Sequence, residues 1–303
     1  MARVLIVTSD TVDAETLTIG AELRRRGHDV RVLGHASQYG MVAAARLGFA
    51  ALAVTPEGSS PDVRALDPRL ALEVAAETAR RAPDLIVVGA TLLTALKAAL
   101  GTGAPVAVLV AGRFTDVATW ASGPVRLAAR LRRVRPATLW AAAARLLVTA
   151  DAQLDPTQPP AGAVRTGPAI GEVRTRVREF EPLVVVDGVP VPEGLDGIAE
   201  VVEKADPDAL SRAWLHVGDG SHAATMRALA NDLPVLAAST PLAGAVVAAG
   251  AGRLAGGDAA ADVPALLAEG AHHAAAAAVG ARVRAAGGAA AAADALEALL
   301  PPS

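Results

Sequence analysis

The sequence predicts an α/β protein of two doubly wound parallel-sheet domains, and three observations carry that expectation. Short, nearly continuous apolar runs alternate with stretches of helical periodicity, the pattern of strands covered on both faces. The 303 residues are enough for two domains at ~100–200 residues each. A passage poor in periodicity, through Pro159, Pro160, Gly162, Gly167 and Pro168, divides the alternation in two. The expected domains are therefore residues 1–168 and 169–303.

Residues 3–8 form the first apolar run. After Thr11 or Asp13, either of which can cap a helix, Leu17, Ile19 and Leu23 recur near helical spacing. Arg24-Arg25-Arg26-Gly27 then places cations at the negative pole and glycine at the stop. Residues 29–33 return to strand character, completing a strand–helix–strand unit whose crossover should be right-handed. Helical patterning is read at 37–47, a strand at 49–54 and a helix at 68–81. Pro83-Asp84 introduces a buried strand at 85–88, an alanine-rich helix runs to about Leu100, and 105–110 and 146–149 are strands. Past the divide, strands are expected at 183–186, 198–202, 214–217 and 234–237, with short helices at 208–212 and 223–230. From Gly250 onward the Gly/Ala-rich chain suits terminal helices.

Hydrophobic residues make up 52% of the chain and charged residues 19%, with a formal net charge of −3, which fits neither a disordered chain nor a nucleic-acid-binding polycation. Only seven residues are aromatic and much of the apolar total is alanine, so Leu/Val/Ala cores with close backbone approach are expected. The absence of cysteine excludes disulfides, thiolate metal sites and a cysteine nucleophile. No apolar stretch reaches the ~18 residues of a membrane span, and the run after Met1 is too short for a signal h-region, so the cytoplasm is the expected location.

Two strand-to-helix turns, residues 8–13 and 217–225, should lie at the carboxyl ends of parallel strands, where open α/β sheets bind ligands. If the two domains face each other, both turns line the cleft between them. In the second turn Gly218, Asp219, Gly220 and Ser221 precede a helix opened by His222 and Thr225, offering backbone N–H groups and a positive dipole end to a phosphate or diphosphate. The same residues also read as a tight connection capped by Ser221 or Asp219. Neither the dinucleotide fingerprint nor the Walker motif is present. The first turn offers Ser9, Asp10, Thr11, Asp13 and Glu15. A carboxylate there can accept a proton from a substrate hydroxyl; alternatively, Asp13 is a helix N-cap and Asp10 a solvated charge. His28 is expected near a helix C-terminus and His35 in a loop, and His272-His273 lacks a Glu at zinc spacing, so no metal site is expected.

With gaps, the whole chain resembles the actinobacterial natural-product glycosyltransferases of the family 1 type. In the N-terminal half the similar pieces are Val4-Leu5-Ile6-Val7-Thr8, the run from Leu23 to Val32, Pro83-Asp84-Leu85-Ile86-Val87-Val88, and the strand ending at Val110. In the C-terminal half Asp206-Pro207-Asp208-Ala209-Leu210 is similar to the proline loop near the donor base, and Met226 to Leu236 to the helix and strand after the diphosphate loop. Gly250-Ala251-Gly252 is similar to a late glycine pair.

The resemblance implies a GT-B-like fold of two Rossmann-like domains, the second abbreviated because 183–205 is too short for the usual opening units. It also implies metal-independent transfer of a hexosyl or deoxysugar group, with inversion, from a nucleotide-diphosphate sugar to a small natural-product acceptor. The nucleotide sugar is then a co-substrate and no cofactor is needed. The donor would meet Ser9, Pro207, Gly218, Asp219, Gly220, Ser221, His222 and Thr225, with Asp13 as base. A homodimer or a partner enzyme is compatible with this reading. Departures cluster on the donor side. Read without gaps, the family's diphosphate-contacting histidine falls on Asp219 and its hydroxyl residue on Ala224, and a carboxylate beside a diphosphate repels it. A shifted reading uses His216 or His222. The acidic-glutamine pair that holds donor-sugar hydroxyls has no counterpart in Ser239-Thr240-Pro241-Leu242-Ala243, and Ala205 replaces the aromatic of the base loop. The alternative is a catalytically degenerate relative that binds an acceptor or assists another enzyme.

Overall fold

The structure is a computed structural model describing residues 1–8, 14–53, 65–177, 181–195, 197–203, 205–256 and 259–301. The chain forms two units. The first comprises Met1–Ala150, Pro156–Ala169 and Gly288–Ser303, the second Asp151–Asp155 and Ile170–Gly287.

The first unit is built on a seven-stranded parallel sheet of β1 (Arg3–Val7), β2 (Asp29–Gly34), β3 (Gly48–Ala51), β4 (Leu85–Gly89), β5 (Val106–Val110), β6 (Arg145–Val148) and β7 (Val164–Arg165). The spatial order is β3-β2-β1-β4-β5-β6-β7, so the winding reverses between β1 and β4, whose register pairs Val4 with Leu85 and Val7 with Val88. The helices are α1 (Ala14–Arg25), α2 (Tyr39–Ala44), α3 (Pro68–Arg81), α4 (Leu93–Leu100), α5 (Phe114–Ser122), α6 (Val125–Leu131) and α7 (Pro136–Ala142). The apolar runs are buried because each strand feeds two cores. Val4, Ile6, Leu85 and Val87 pack with Ile19 and Leu23 of α1 on one face, while Leu5, Val7, Ile86 and Val88 pack with Val74 of α3 and Leu96 of α4 on the other. Local chemistry sets the helix ends. Asp67 caps α3 by accepting the Arg69 amide at 2.9 Å, with Pro68 in the first turn. Gly27, at φ +93°, stops α1 while its amide donates to Arg24 O.

The second unit carries a five-stranded parallel sheet of β8 (Leu183–Asp187), β9 (Glu200–Val202), β10 (Leu215–Gly218), β11 (Val235–Ala237) and β12 (Gly252–Leu254), in the order β12-β11-β10-β8-β9. Its helices are α8 (Pro207–Arg212), α9 (His222–Ala230), α10 (Pro241–Ala248), α11 (Ala259–Ala268) and α12 (Gly270–Ala285). Among the described residues no helix joins β8 to β9. Instead, the connection drops Leu195 into the core beside Val184 and Val186. Packing of α12 against α9 depends on Gly280, where a Cβ would collide with the Leu229 carbonyl oxygen.

Two features differ from the sequence reading. The Pro/Gly passage does not simply divide the chain, because it contains β7, the edge strand beside β6. In addition, the terminal helix α13 (Gly288–Glu297) belongs to the first unit and not to the second. There Ala292, Ala293 and Leu296 join the core of Ile19 and Leu23. Glu297 receives hydrogen bonds from Arg26 at 2.7 Å and His28 at 2.8 Å. The hydrogen bond from His28, reinforced by Arg26, holds the Glu297 carboxyl below its ordinary range. An alanine-rich tail has no periodic bulky residues to reveal which core it serves, so the expected boundary of 169–303 missed this return.

Leu296→Ala should destabilise the first unit by about 2–5 kcal/mol through the cavity it leaves. Leu127→Ala on α6, at a side chain 67% exposed, should cost less than ~0.5 kcal/mol. Denaturant unfolding of both variants checks the assignment of α13.

Candidate functional site

Both sheets reverse their winding once, and at each reversal the carboxyl ends of two strands diverge and leave a crevice for a ligand. In the first unit this point lies between β1 and β4. A cavity of about 110 Å³ sits there, lined by Val7, Thr8 and Thr16 on one side and Gly89, Ala90 and Thr91 on the other. Thr8 donates its hydroxyl to Gln38 Oε1 at 2.8 Å, in a space that exists because Gly34 has no side chain to fill it. Ser9 and Asp13, expected here as donor contact and base, lie outside the described residues, as do Asp10 and Thr11. Glu15, from the same stretch, does not face solvent. It is 2% exposed and holds Thr149 Oγ1 and the Ala169 amide, so it ties the start of α1 to the ends of β6 and β7. Thr149 in turn accepts the Gly112 amide at 2.8 Å.

In the second unit the reversal lies between β8 and β10, whose last residues Asp187 and Gly218 are register partners. The turn after β10 contains the sequence-predicted residues. Gly220 has φ +76°, and a Cβ there would lie 2.8 Å from Thr240 Oγ1, so both the backbone sign and the space require glycine. Neither cap left open by the sequence forms a side-chain bond to an amide of α9; Asp219 instead closes the turn that precedes the helix. Its Oδ1 accepts the Ser221 amide at 2.8 Å, and its carboxyl group packs over Gly188. Ser221 occupies the N-cap position without a side-chain bond, and its carbonyl accepts the Thr225 amide at 3.0 Å. His222 opens α9 half-buried, and Thr225 is buried. Pro207 stands in the first turn of α8 behind the Asp206 cap, at the same carboxyl edge of the sheet.

His216 was weighed in the sequence only as a shifted diphosphate contact, and its central position in this site comes from the fold. It points to the same face of β10 as Gly218, whose missing Cβ leaves room for the ring 2.6 Å away. The imidazole is 1% exposed and neither nitrogen has a hydrogen-bond partner among the described residues. Desolvation pushes its pKa down to about 4. Asp187 opposes that shift, Arg227 adds to it, and Asp219 opposes it. Arg227 Nη2 lies 3.5 Å from Asp187 Oδ2. The edge thus gathers Asp187, Asp219, Arg227 and an imidazole held neutral near neutral pH, beside the turn that opens α9. Thr240 caps α10 by accepting the Ala243 amide at 3.1 Å, a role signalled in sequence by the Pro that follows it.

No family model matches the chain, and no curated protein matches it. Solved structures do. The glycotransferase of kitacinnamycin has a TM-score of 0.78 at 18% identity, covering 99% of this chain and 99% of that one. The spinosyn forosaminyltransferase SpnP has a TM-score of 0.77 at 16% identity, covering 98% of this chain and 99% of that one. SsfS6 from Streptomyces sp. SF2575, in a structure complexed with thymidine diphosphate, has a TM-score of 0.69 at 17% identity, covering 98% of this chain and 100% of that one. These likenesses establish the fold: an α/β chain of the GT-B type, as the sequence resemblance implied.

His216 gives the protein a specific acid sensitivity. Above the ordinary value of 6.5 the ring is neutral in both folded and unfolded chains; below it, the unfolded chain binds a proton that the native site refuses. Stability should fall from pH 6.5 to about 4, and over that window this group alone removes ~3 kcal/mol. His216→Leu should remove that part of the slope, measured as the difference between wild-type and variant unfolding free energies across the window. Gly220→Ala should lower stability at every pH by ~1–3 kcal/mol, since an L-residue is strained there and meets Thr240.

Proposed function

We propose that this chain is a glycosyltransferase that moves a sugar from a nucleotide-diphosphate donor to the hydroxyl of a small natural-product acceptor, with inversion at the anomeric carbon. The observation that supports this most is the agreement of fold over 98–99% of the chain with enzymes that carry out glycosyl transfer on natural products. On this reading the diphosphate rests at the start of α9, where free amides and the helix dipole stabilise the charge that develops as the leaving group departs. Gly218 and Gly220 let the backbone come close, Ser221, His222 and Thr225 flank the anion, Pro207 borders the nucleoside, and Ser9 is read as a further donor contact. The acceptor lies at the end of β1, beside the cavity of Thr8, Thr16 and Thr91. Asp13 removes the hydroxyl proton as the oxygen forms its bond to the anomeric carbon, opposite the bond to the diphosphate that breaks. Backbone amides meet the leaving-group charge, so the transfer is read as metal-independent, of a hexosyl or deoxysugar group.

Asp219 favours a second reading. Its carboxylate already holds one amide of the helix entry, and with Asp187 it leaves the edge with a net negative charge that opposes a diphosphate. A chain of this fold without transfer activity, serving as an acceptor-binding or auxiliary partner, accommodates that charge directly.

Thermal unfolding with thymidine or uridine diphosphate separates the two. At ~100 times its dissociation constant a bound nucleotide adds ~2.7 kcal/mol. Transfer predicts a clear upward shift that Gly220→Asp abolishes and Asp13→Asn retains, while Asp13→Asn eliminates turnover. No shift with either nucleotide would remove the donor site and leave the second reading.

A further inference from the structure

The most unusual surface of the first unit lies around α6. Residues 126–135 contain five arginines, and no acidic residue occurs between Asp116 and Asp151, in a chain whose net charge is −3. Most arginines elsewhere are paired: Arg26 with Glu22 and Glu297, Arg69 with Asp67, Arg227 with Asp187. Within this segment Arg132 is anchored on the Leu66 carbonyl oxygen. Arg126, Arg130, Arg133 and Arg135 are exposed and form no ion pair among the described residues. Two leucines accompany them. Val125 and Ala129 are the buried side of α6. Leu127 and Leu131, two positions further along, lie ~200° round the helix from them, 67% and 79% exposed. Arg126 and Arg130 lie between the buried side and the leucines, on the wall of a groove of about 650 Å³ shared with Arg135 and floored by Trp140. The floor is fixed, since the Trp140 indole N–H donates to Ala90 O at 3.0 Å.

We propose that α6 and the turn after it form a docking face for an anionic lipid surface. The charge is complementary to phospholipid headgroups, whose phosphates accept the planar fork of an unpaired guanidinium. The two leucines protrude opposite the core, where they enter hydrocarbon without needing a preformed pocket in a partner. A bilayer supplies both contacts at once, and an acidic protein supplies only the first unless it carries matching apolar recesses. Association is peripheral, with the arginines at the phosphate level and the leucines below it. This inference is independent of glycosyl transfer, because none of these residues takes part in the proposed donor or acceptor site.

Vesicle co-sedimentation of the full chain tests it. Binding to vesicles of phosphatidylcholine mixed with phosphatidylglycerol, absent for pure phosphatidylcholine and weakened by added salt, is the expected result. An Arg126→Gln/Arg130→Gln variant should bind about 30-fold more weakly, at roughly 1 kcal/mol per arginine. A Leu127→Ala/Leu131→Ala variant should lose about tenfold or more. All four side chains are exposed, so both variants should keep the wild-type melting temperature. The proposal is overturned by equal binding to both vesicle types, by no binding to either, or by variants that bind as the wild type does. It is also overturned if a synthetic Glu/Leu amphipathic helix binds the face while vesicles do not, which would assign the surface to a protein partner.

Discussion

The structure depends on how closely its layers must approach. With seven aromatic residues in the chain, the two cores cannot be filled by large side chains, and helices reach the sheets through positions where a methyl group would be too much. Gly20 brings α1 onto Ile6 and Leu47, Gly280 brings α12 onto the backbone of α9, and Gly252 seats β12 against Val235. Interiors packed this closely tolerate little change of volume. Such packing also gives a stiff base to the loops at the strand ends.

The same economy shapes the edge of the second sheet. Gly218 removes a side chain at the strand end, and the vacated space takes an imidazole whose nitrogens find no hydrogen-bond partner among the described residues. A buried polar group without a partner is costly, so its retention there is informative. The turn-closing carboxyl group of Asp219, the bridging Arg227 and the helix pole all lie within this small region.

Much of the alternation was legible because buried parallel strands leave a strong signature. The strands β1, β4, β5 and β10, and helices such as α3 with its Asp-Pro start, lie where apolar runs and caps placed them. The turn at Gly218 to Ser221 was legible through its glycines, whereas the helix cap expected from Ser221 or Asp219 does not form, because Asp219 bonds the amide of Ser221 ahead of the helix. The stretch holding α5, α6 and α7 was not legible, since its alanines and arginines carry no clean apolar stripe. The strand β7 is two residues long, too short for any period to register. The isolation of His216 depends on register with β8 and β11 and on the missing side chain at Gly218, relations that no local pattern encodes. In the sequence Glu15 is one more acid of the first turn, and only the arrival of Thr149 and Ala169 from far along the chain makes it an internal tie.

The return of α13 to the first unit has a consequence for biosynthesis. The second unit is encoded almost wholly inside the first, so a nascent chain emerging from the ribosome exposes everything β8 to α12 requires while the opening unit still lacks its closing helix. Ile19 and Leu23 then wait for Leu296, which is made after every strand and helix of the second unit. A unit begun before the second is thus sealed after it, inverting the usual vectorial order in which the earlier-made domain matures first.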